Sequence, residues 1–222
     1  MFDKRCHFVN LEYYCPMMPY TTIQTEVSAE IEEKKSRFIA QLAPVKTEEE
    51  ALVFLERIRA EHRMARHNVY AYVLRDDGRV RYSDDGEPSK TAGLPTLETI
   101  QHAGLNDVIA VVTRYFGGTL LGTGGLVRAY TQATKSAIEA AKLVTVSPCV
   151  SIKLQIPYAY YDKVMHLVTQ NGYKVEESSF TDTVEVHVVV LEEQVQNARI
   201  NLQELIRNQG KISVSDSYDA VF

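Results

Sequence analysis

The chain has 222 residues, of which 45% are hydrophobic, so it is long enough to bury one large core or two small ones. Its formal net charge is -5, a balance that argues against a dedicated polyanion-binding protein, which would usually be strongly basic. Its three cysteines form no CxxC motif and no apolar run is long enough to span a membrane, which together favour a cytoplasmic protein without a membrane segment.

Charge is unevenly distributed along the chain. Residues 1–143 hold 18 basic and 19 acidic residues, whereas residues 144–222 hold 6 and 10. A basic surface patch on the first part is therefore compatible with the acidic total.

The start of the chain, residues 1–19, is interpreted as an extension ahead of the first domain. Periodic sequence begins only after Pro19, and Met17 or Met18 would serve as an alternative start. The first folded domain is predicted to span residues 20–144.

The first domain is predicted to mix strands and helices. Residues 23–42 are interpreted as one extended segment with a polar middle. Thr47 then caps a helix, and Glu50 three residues later completes a capping box. The other predicted elements are strands at Val69–Leu74 and Arg79–Tyr82 around the Asp76-Asp77-Gly78 turn, a helix from Pro95 to Gly104, a buried strand containing the apolar run Val108–Val112, and a helix from Leu126 to Leu143.

The second domain is predicted to span residues 148–222, after a boundary at Thr145-Val146-Ser147-Pro148. Its pattern is strand, helix, strand, strand, helix, strand, which is the βαββαβ order of the ferredoxin-like fold. The fold class is therefore α+β. The predicted elements are Val150–Ile156, Tyr158–Asn171, Tyr173–Phe180, Val184–Leu191, Glu192–Asn208 and Lys211–Tyr218.

A glycine-rich loop between the buried strand and the long helix is the strongest local signal. Its glycines let backbone N–H groups converge, and the N-terminus of the helix adds a partial positive charge. The loop lacks the GK[ST] of a P-loop and the third glycine of the dinucleotide fingerprint. It predicts either a phosphate site or a tight structural turn. The candidate anion-binding residues are Arg114, Gly117, Gly118, Gly122, Gly124, Gly125 and Arg128.

An acidic loop is the second signal. Its carboxylates suit a hard metal such as Mg²⁺, but Asp-Asp-Gly is also an ordinary turn, and the turn is the favoured interpretation. Neither a metal nor a cofactor is assigned, and no catalytic residues are assigned. His67 is the only histidine of this strand-rich stretch and is interpreted as an ordinary strand-entry residue. The acidic-loop candidates are Asp84, Asp85, Glu87, Ser89 and Thr91.

Several arginines would form a basic surface if the fold brings them together. Arg59, Arg63 and Arg66 lie at i, i+4 and i+7 and would share one exposed stripe of a helix. Arg79 and Arg81 lie on one face of the following strand. Taken alone, the helix stripe is interpreted as a solvated face. Convergence of these five side chains with Arg114 and Arg128 would favour contacts with the phosphates of RNA.

Five blocks of sequence together carry a family resemblance. They are, in chain order, His67-Asn68-Val69-Tyr70-Ala71-Tyr72, Ser83-Asp84-Asp85-Gly86-Glu87-Pro88-Ser89, Thr91-Ala92-Gly93, Val112-Thr113-Arg114-Tyr115-Phe116-Gly117-Gly118, and Leu121-Gly122-Thr123-Gly124-Gly125-Leu126-Val127-Arg128-Ala129-Tyr130. In this order the blocks resemble the IMPACT family. The resemblance covers residues 33–141, and the second domain resembles the C-terminal domain of bacterial members. Lys90 stands where the family usually has glycine, and Leu94 where a basic or small residue is common.

The resemblance implies a first domain like the second domain of a small-subunit ribosomal protein, an α/β sandwich, and a second domain similar to a ferredoxin-like domain of elongation factor G. Eukaryotic relatives regulate translation initiation through an additional N-terminal domain, so their mechanism is not carried over. The expected function is binding of RNA, the ribosome or a translation factor. The alternatives are an enzyme or binder of a phosphate-containing small ligand at the glycine-rich loop, and a protein–protein module. No oligomeric state is assigned.

Overall fold

The computed structural model describes residues 18–76, 78–207 and 209–222. These residues form two compact units, built mainly from Tyr20–Val146 and Ser147–Ala220. The extension predicted for residues 1–19 lies, up to residue 17, outside the described residues. No helix within the described ranges combines the length and apolar character needed to cross a bilayer.

The first unit is built on a five-stranded antiparallel sheet. Its elements are β1 (Tyr20–Ile23), β2 (Val27–Glu33), β3 (Ser36–Pro44), α1 (Glu48–Glu61), β4 (His67–Val73), β5 (Val80–Ser83), α2 (Gly93–His102), β6 (Val108–Tyr115) and α3 (Thr123–Ala140). The sheet has the order β2-β3-β6-β4-β5. The predicted hairpin between β4 and β5 is confirmed, with Val73 opposite Val80, although Asp77 of its turn lies outside the described residues.

The central strand β6 is buried on both faces, which confirms the prediction made from its apolar run. Ile109 and Val111 face α1 in one hydrophobic cluster. Val108, Ala110 and Val112 face α2 and α3 in another. The sheet is therefore the middle of three layers, and a strand without a polar face fits only there.

The predicted start of α1 is confirmed. The Thr47 hydroxyl accepts the Glu50 N–H at 3.2 Å. The Glu50 carboxylate returns the contact by accepting the N–H of Lys46 at 2.7 Å, one residue earlier than in the usual capping box.

One extended segment over residues 23–42 was the wrong expectation. The chain turns back between β2 and β3, with Glu33 opposite Ser36. Lys34 and Lys35 form this two-residue turn with φ of 48° and 65°, the left-handed conformation of a type I′ hairpin.

The second unit is a ferredoxin-like domain, which confirms the α+β prediction. Its strands follow the order β10-β7-β9-β8, all neighbours being antiparallel. The first four residues of β7 belong to the first unit, where they pair with β1. The elements are β7 (Leu143–Ile156), α4 (Tyr158–Gln170), β8 (Lys174–Phe180), β9 (Val184–Leu191), α5 (Val195–Ile206), β10 (Lys211–Val214) and β11 (Tyr218–Val221).

Three boundaries of the second unit differ from the prediction. The predicted strand Lys211–Tyr218 is two short strands, β10 and β11, and the break follows Ser215, whose hydroxyl accepts the backbone N–H of Ser151 at 3.0 Å. A 3-10 turn, Glu192–Gln194, precedes α5. The strand β7 begins seven residues before Val150.

Candidate functional site

A cleft of about 440 Å³ opens in the first unit where the glycine-rich loop faces the acidic loop. The two loops are separated in sequence by α2 and β6, and the fold brings them together at one end of the sheet. The lining residues are Arg66, His67, Glu87, Pro88, Arg114, Phe116, Leu120, Leu121, Gly122, Thr123 and Leu126.

A buried charged network lies at the cleft. Arg114 is only 7% exposed, and its Nη1 donates to Oε1 of Glu87 at 2.6 Å. The Tyr130 hydroxyl donates to the same oxygen at 2.9 Å. Burial, followed by the charge of Glu87, raises the pKa of the Tyr130 phenol, so Tyr130 stays a hydrogen-bond donor. Nε of Arg114 is buried and has no hydrogen-bond partner among the described residues.

His67 lines the cleft with a fixed tautomer. Its Nδ1 lies 2.8 Å from the carbonyl oxygen of Asp85. Since a carbonyl only accepts, Nδ1 carries a proton, and Nε2 of the neutral ring is an acceptor. His67 is the first residue of β4, as the sequence interpretation held, but it also belongs to the cleft wall.

The N-terminus of α3 also lines the cleft, through Gly122 and Thr123. Gly122 is the N-cap, with a φ of 72°, and no side chain caps the helix. The first turn of a helix has N–H groups without intrahelical partners and carries a partial positive charge. That charge therefore adjoins the buried Arg114 network.

The other candidates of the glycine-rich loop do not line the cleft. A Cβ on Gly117 would lie 2.0 Å from the carbonyl carbon of Lys35, so the close approach of the β2–β3 turn requires glycine. Gly118, Gly124 and Gly125 do not line the cleft. Arg128 lines a separate depression between β2 and α3, so the structure does not bring it together with Arg114.

The acidic loop forms a turn at the start of α2, and Asp84 bonds the backbone there. Oδ1 of Asp84 accepts the N–H groups of Ala92 and Gly93 at 3.0 and 2.8 Å, and its Oδ2 accepts that of Lys90 at 2.8 Å. The Glu87 N–H donates to the Asp84 carbonyl at 2.9 Å, which closes the turn. Among the described residues, no group of three His, Cys, Asp or Glu is arranged to hold a metal.

The remaining acidic-loop candidates either make hydrogen bonds within the protein or are exposed. Asp85 accepts the N–H of Asn68 at 2.6 Å and a guanidinium N–H of Arg59 at 3.2 Å. The Thr91 hydroxyl donates to the Pro88 carbonyl at 2.6 Å, and Ser89 is exposed. Only Glu87 of the five candidates lines the cleft.

The five basic-surface candidates do not form one free basic face. Arg79 and Arg81 both pair with Glu48 on α1. Arg59 pairs with Glu56 at 2.8 Å and with Asp85 at 3.2 Å. Arg63 and Arg66 are exposed and make no ion pair within the described part of the chain. Among these five candidates, therefore, only Arg63 and Arg66, which follow α1, carry positive charge without an ion pair in the described chain.

An exposed apolar wall of the cleft was missed by sequence reasoning. Phe116 is 54% exposed and Leu120 is 83% exposed. Two large apolar side chains inside a glycine-rich loop are a usable signal, because loops of that composition are otherwise polar turns.

Comparison with known proteins places these features in a family. The sequence matches the Impact N-terminal domain over residues 34–138 and a domain of unknown function (DUF1949) over residues 154–209. It is 37% identical over 176 residues to the IMPACT family member YvyE of Bacillus subtilis, covering 79% of this chain and 81% of that one. The chain belongs to the IMPACT family.

Other relatives have similar sequence identity to this chain. The family member YigZ of Escherichia coli is 37% identical over 178 residues, covering 79% of this chain and 84% of that one. A crystal structure of a protein described only as hypothetical has a TM-score of 0.59 and 35% identity, and covers 88% of this chain and 97% of its own. All residues that line the cleft fall within the matched Impact N-terminal domain.

Proposed function

We propose that the cleft of this IMPACT-family protein binds a small ligand carrying a phosphate group. The observation that carries the proposal is the convergence of two positive elements on one concave surface, the exposed Arg66 and the uncapped N-terminus of α3, beside the buried, ion-paired Arg114. Ligand sites in proteins are typically concave, with a few polar groups that fix orientation.

The charge balance favours an anion. Glu87 neutralises Arg114 through their ion pair, so the net attraction comes from Arg66 and the helix N-terminus. Nε of Arg114 is buried and has no acceptor among the described residues, so the guanidinium keeps one unsatisfied donor. A phosphate oxygen is the acceptor that suits both Arg66 and the start of α3.

Titration of the full chain with ribose 5-phosphate and with inorganic phosphate, followed by amide NMR, tests this proposal. The amide resonances of Thr123, Gly124 and Gly125 should shift on binding. Thr123→Asp should abolish binding without loss of stability, because a carboxylate in the first turn favours the helix while it repels the ligand.

A matched pair of arginines provides the control. Arg66→Ala should weaken binding about tenfold, as expected for loss of one charge-assisted hydrogen bond. Arg63→Ala removes an exposed arginine that does not line the cleft, and should leave binding unchanged. Equal effects of both substitutions, or no shift at the start of α3, would contradict the proposal.

A second candidate function is binding of RNA, the ribosome or a translation factor in the cytoplasm, with a link to the regulation of translation. The specific observation in its favour is the exposure of Arg63 and Arg66 without ion pairs in the described chain. The resemblance of the sequence to translation-related relatives points the same way. This function shares Arg66 with the cleft, and Arg63, which does not line the cleft, distinguishes the two functions.

A further inference from the structure

The cleft combines a cationic end with an open apolar wall. Phe116 and Leu120 are left largely exposed beside Arg66 and the start of α3, and Pro88 and Leu126 extend the apolar lining. A phosphate ion alone would leave this wall in contact with water. A ligand with a planar apolar part next to its phosphate would cover it.

A cation–π contact positions the ring of Phe116 in the cleft. The guanidinium carbon of Arg114 lies 5.6 Å from the centroid of the Phe116 ring and 5.4 Å from that of Phe38. Arg114 is therefore an orienting contact on one side of Phe116. Because more than half of Phe116 remains exposed at 54%, its free face is available to a second planar group.

The cleft also offers hydrogen-bonding groups between these two ends. Nε2 of His67 is an acceptor in the neutral ring, because Nδ1 donates to Asp85. Thr123, the first residue of α3, also lines the cleft and carries a hydroxyl. A sugar with free hydroxyls satisfies such groups. The volume of about 440 Å³ lies near the small end of ligand sites, which span roughly 300–1,000 Å³, and suits one monomeric unit.

We infer that the ligand is a mononucleotide, with its base stacked on Phe116, its ribose between His67 and Thr123, and its phosphate at Arg66 and the N-terminus of α3. This inference rests on the proposed phosphate-binding function and specifies the ligand class. Base stacking on an aromatic side chain is tolerant of base identity, so several bases should be accepted.

Isothermal titration of the full chain with each of the four nucleoside 5′-monophosphates and with ribose 5-phosphate tests the inference. At least one nucleotide should bind about tenfold more tightly than ribose 5-phosphate, the expected contribution of one stacked base. Phe116→Ala should remove this difference and leave the ribose 5-phosphate affinity within about twofold. Phe116→Tyr, which keeps the ring, should retain the difference.

Phe180→Ala is the matched control, since Phe180 is an aromatic of the second unit with 53% exposure and should not affect binding. Equal affinities for nucleotides and ribose 5-phosphate would overturn the inference while leaving the phosphate site intact. Binding of neither compound would refute the proposed function itself. A single-stranded RNA hexamer without a terminal phosphate that binds more tightly than every mononucleotide would also overturn the inference, in favour of RNA.

Discussion

Lys90 is strained by its position in the acidic loop. Its φ is 62°, in the left-handed region that favours glycine, and the resembling family usually has glycine there. The strain is tolerated because the Lys90 N–H bonds the Asp84 carboxylate that caps α2. The departure from the family pattern therefore affects backbone energy and not the cleft, which Lys90 does not line.

Lys90→Gly should stabilise the protein by about 1 kcal/mol, because glycine adopts left-handed φ without steric cost and keeps the N–H bond to Asp84. Urea denaturation of the full chain measures the change. Lys135→Gly in the exposed part of α3 is the control, and should destabilise by about 1 kcal/mol. A lower stability of Lys90→Gly than of the parent would contradict this interpretation.

At the scale of residues, the sequence predicted side-chain contacts between residues close in the chain, but not those between residues far apart in it. The Thr47 cap was predictable because its partner, Glu50, is three residues away. The pairing of Glu87 with Arg114 joins a loop to a strand 27 residues later, and no periodicity links them. The sequence predicted each loop as a candidate site by itself. It did not predict that both loops line one cleft, because no periodicity connects them.

At the scale of elements, the sequence predicted an element correctly where glycine marked its end, and missed a turn that contains no glycine. The ferredoxin-like order was predictable because Gly172 and Gly210 mark the ends of its helices. The β2–β3 hairpin was missed because its type I′ turn is made by Lys34 and Lys35 and not by Asn-Gly or Gly-Gly. Tertiary pairing along β3 holds those lysines in left-handed conformations that their own preferences disfavour.

The contact between α1 and β4 should make stability depend on pH. The Tyr72 hydroxyl donates to Glu48 at 2.6 Å, and burial together with this carboxylate raises the pKa of Tyr72 to about 12. An unfolded tyrosine titrates near 10. The folded pKa is the higher one, so this stabilisation is complete below pH 10 and is lost as the pH rises from about 10 to 12.

Tyr72→Phe should therefore lose less stability between pH 8 and pH 11 than the parent does. At pH 8 it should cost about 1 kcal/mol, the net value of one hydrogen bond, because Glu48 keeps Arg79 and Arg81 as partners. Urea denaturation at both pH values measures the two effects. An identical loss in both proteins on going to pH 11 would show that Tyr72 does not contribute to the alkaline transition.

At the scale of the whole molecule, ion pairing limits the free positive charge. The acidic total excluded a dedicated polyanion binder, and the basic first part kept a local patch open as a hypothesis. Pairing of Arg59, Arg79 and Arg81 with carboxylates reduces that patch. Any association with RNA or the ribosome should therefore involve few phosphates and be weak at physiological salt.

Co-sedimentation of the full chain with ribosomes at 50 and 200 mM salt tests the second candidate function. Two phosphate contacts, from Arg63 and Arg66, would reduce affinity about sevenfold over this range. Arg63→Glu with Arg66→Glu should abolish the association, whereas Lys135→Glu with Lys142→Glu, an equal charge change at exposed sites, should preserve it. Arg63→Glu alone separates the two functions, because Arg63 does not line the cleft. Loss of ribosome association with unchanged ribose 5-phosphate affinity would assign Arg63 to the ribosome-binding surface. A wild-type protein that stays at the top of the gradient at 50 mM salt would contradict ribosome binding.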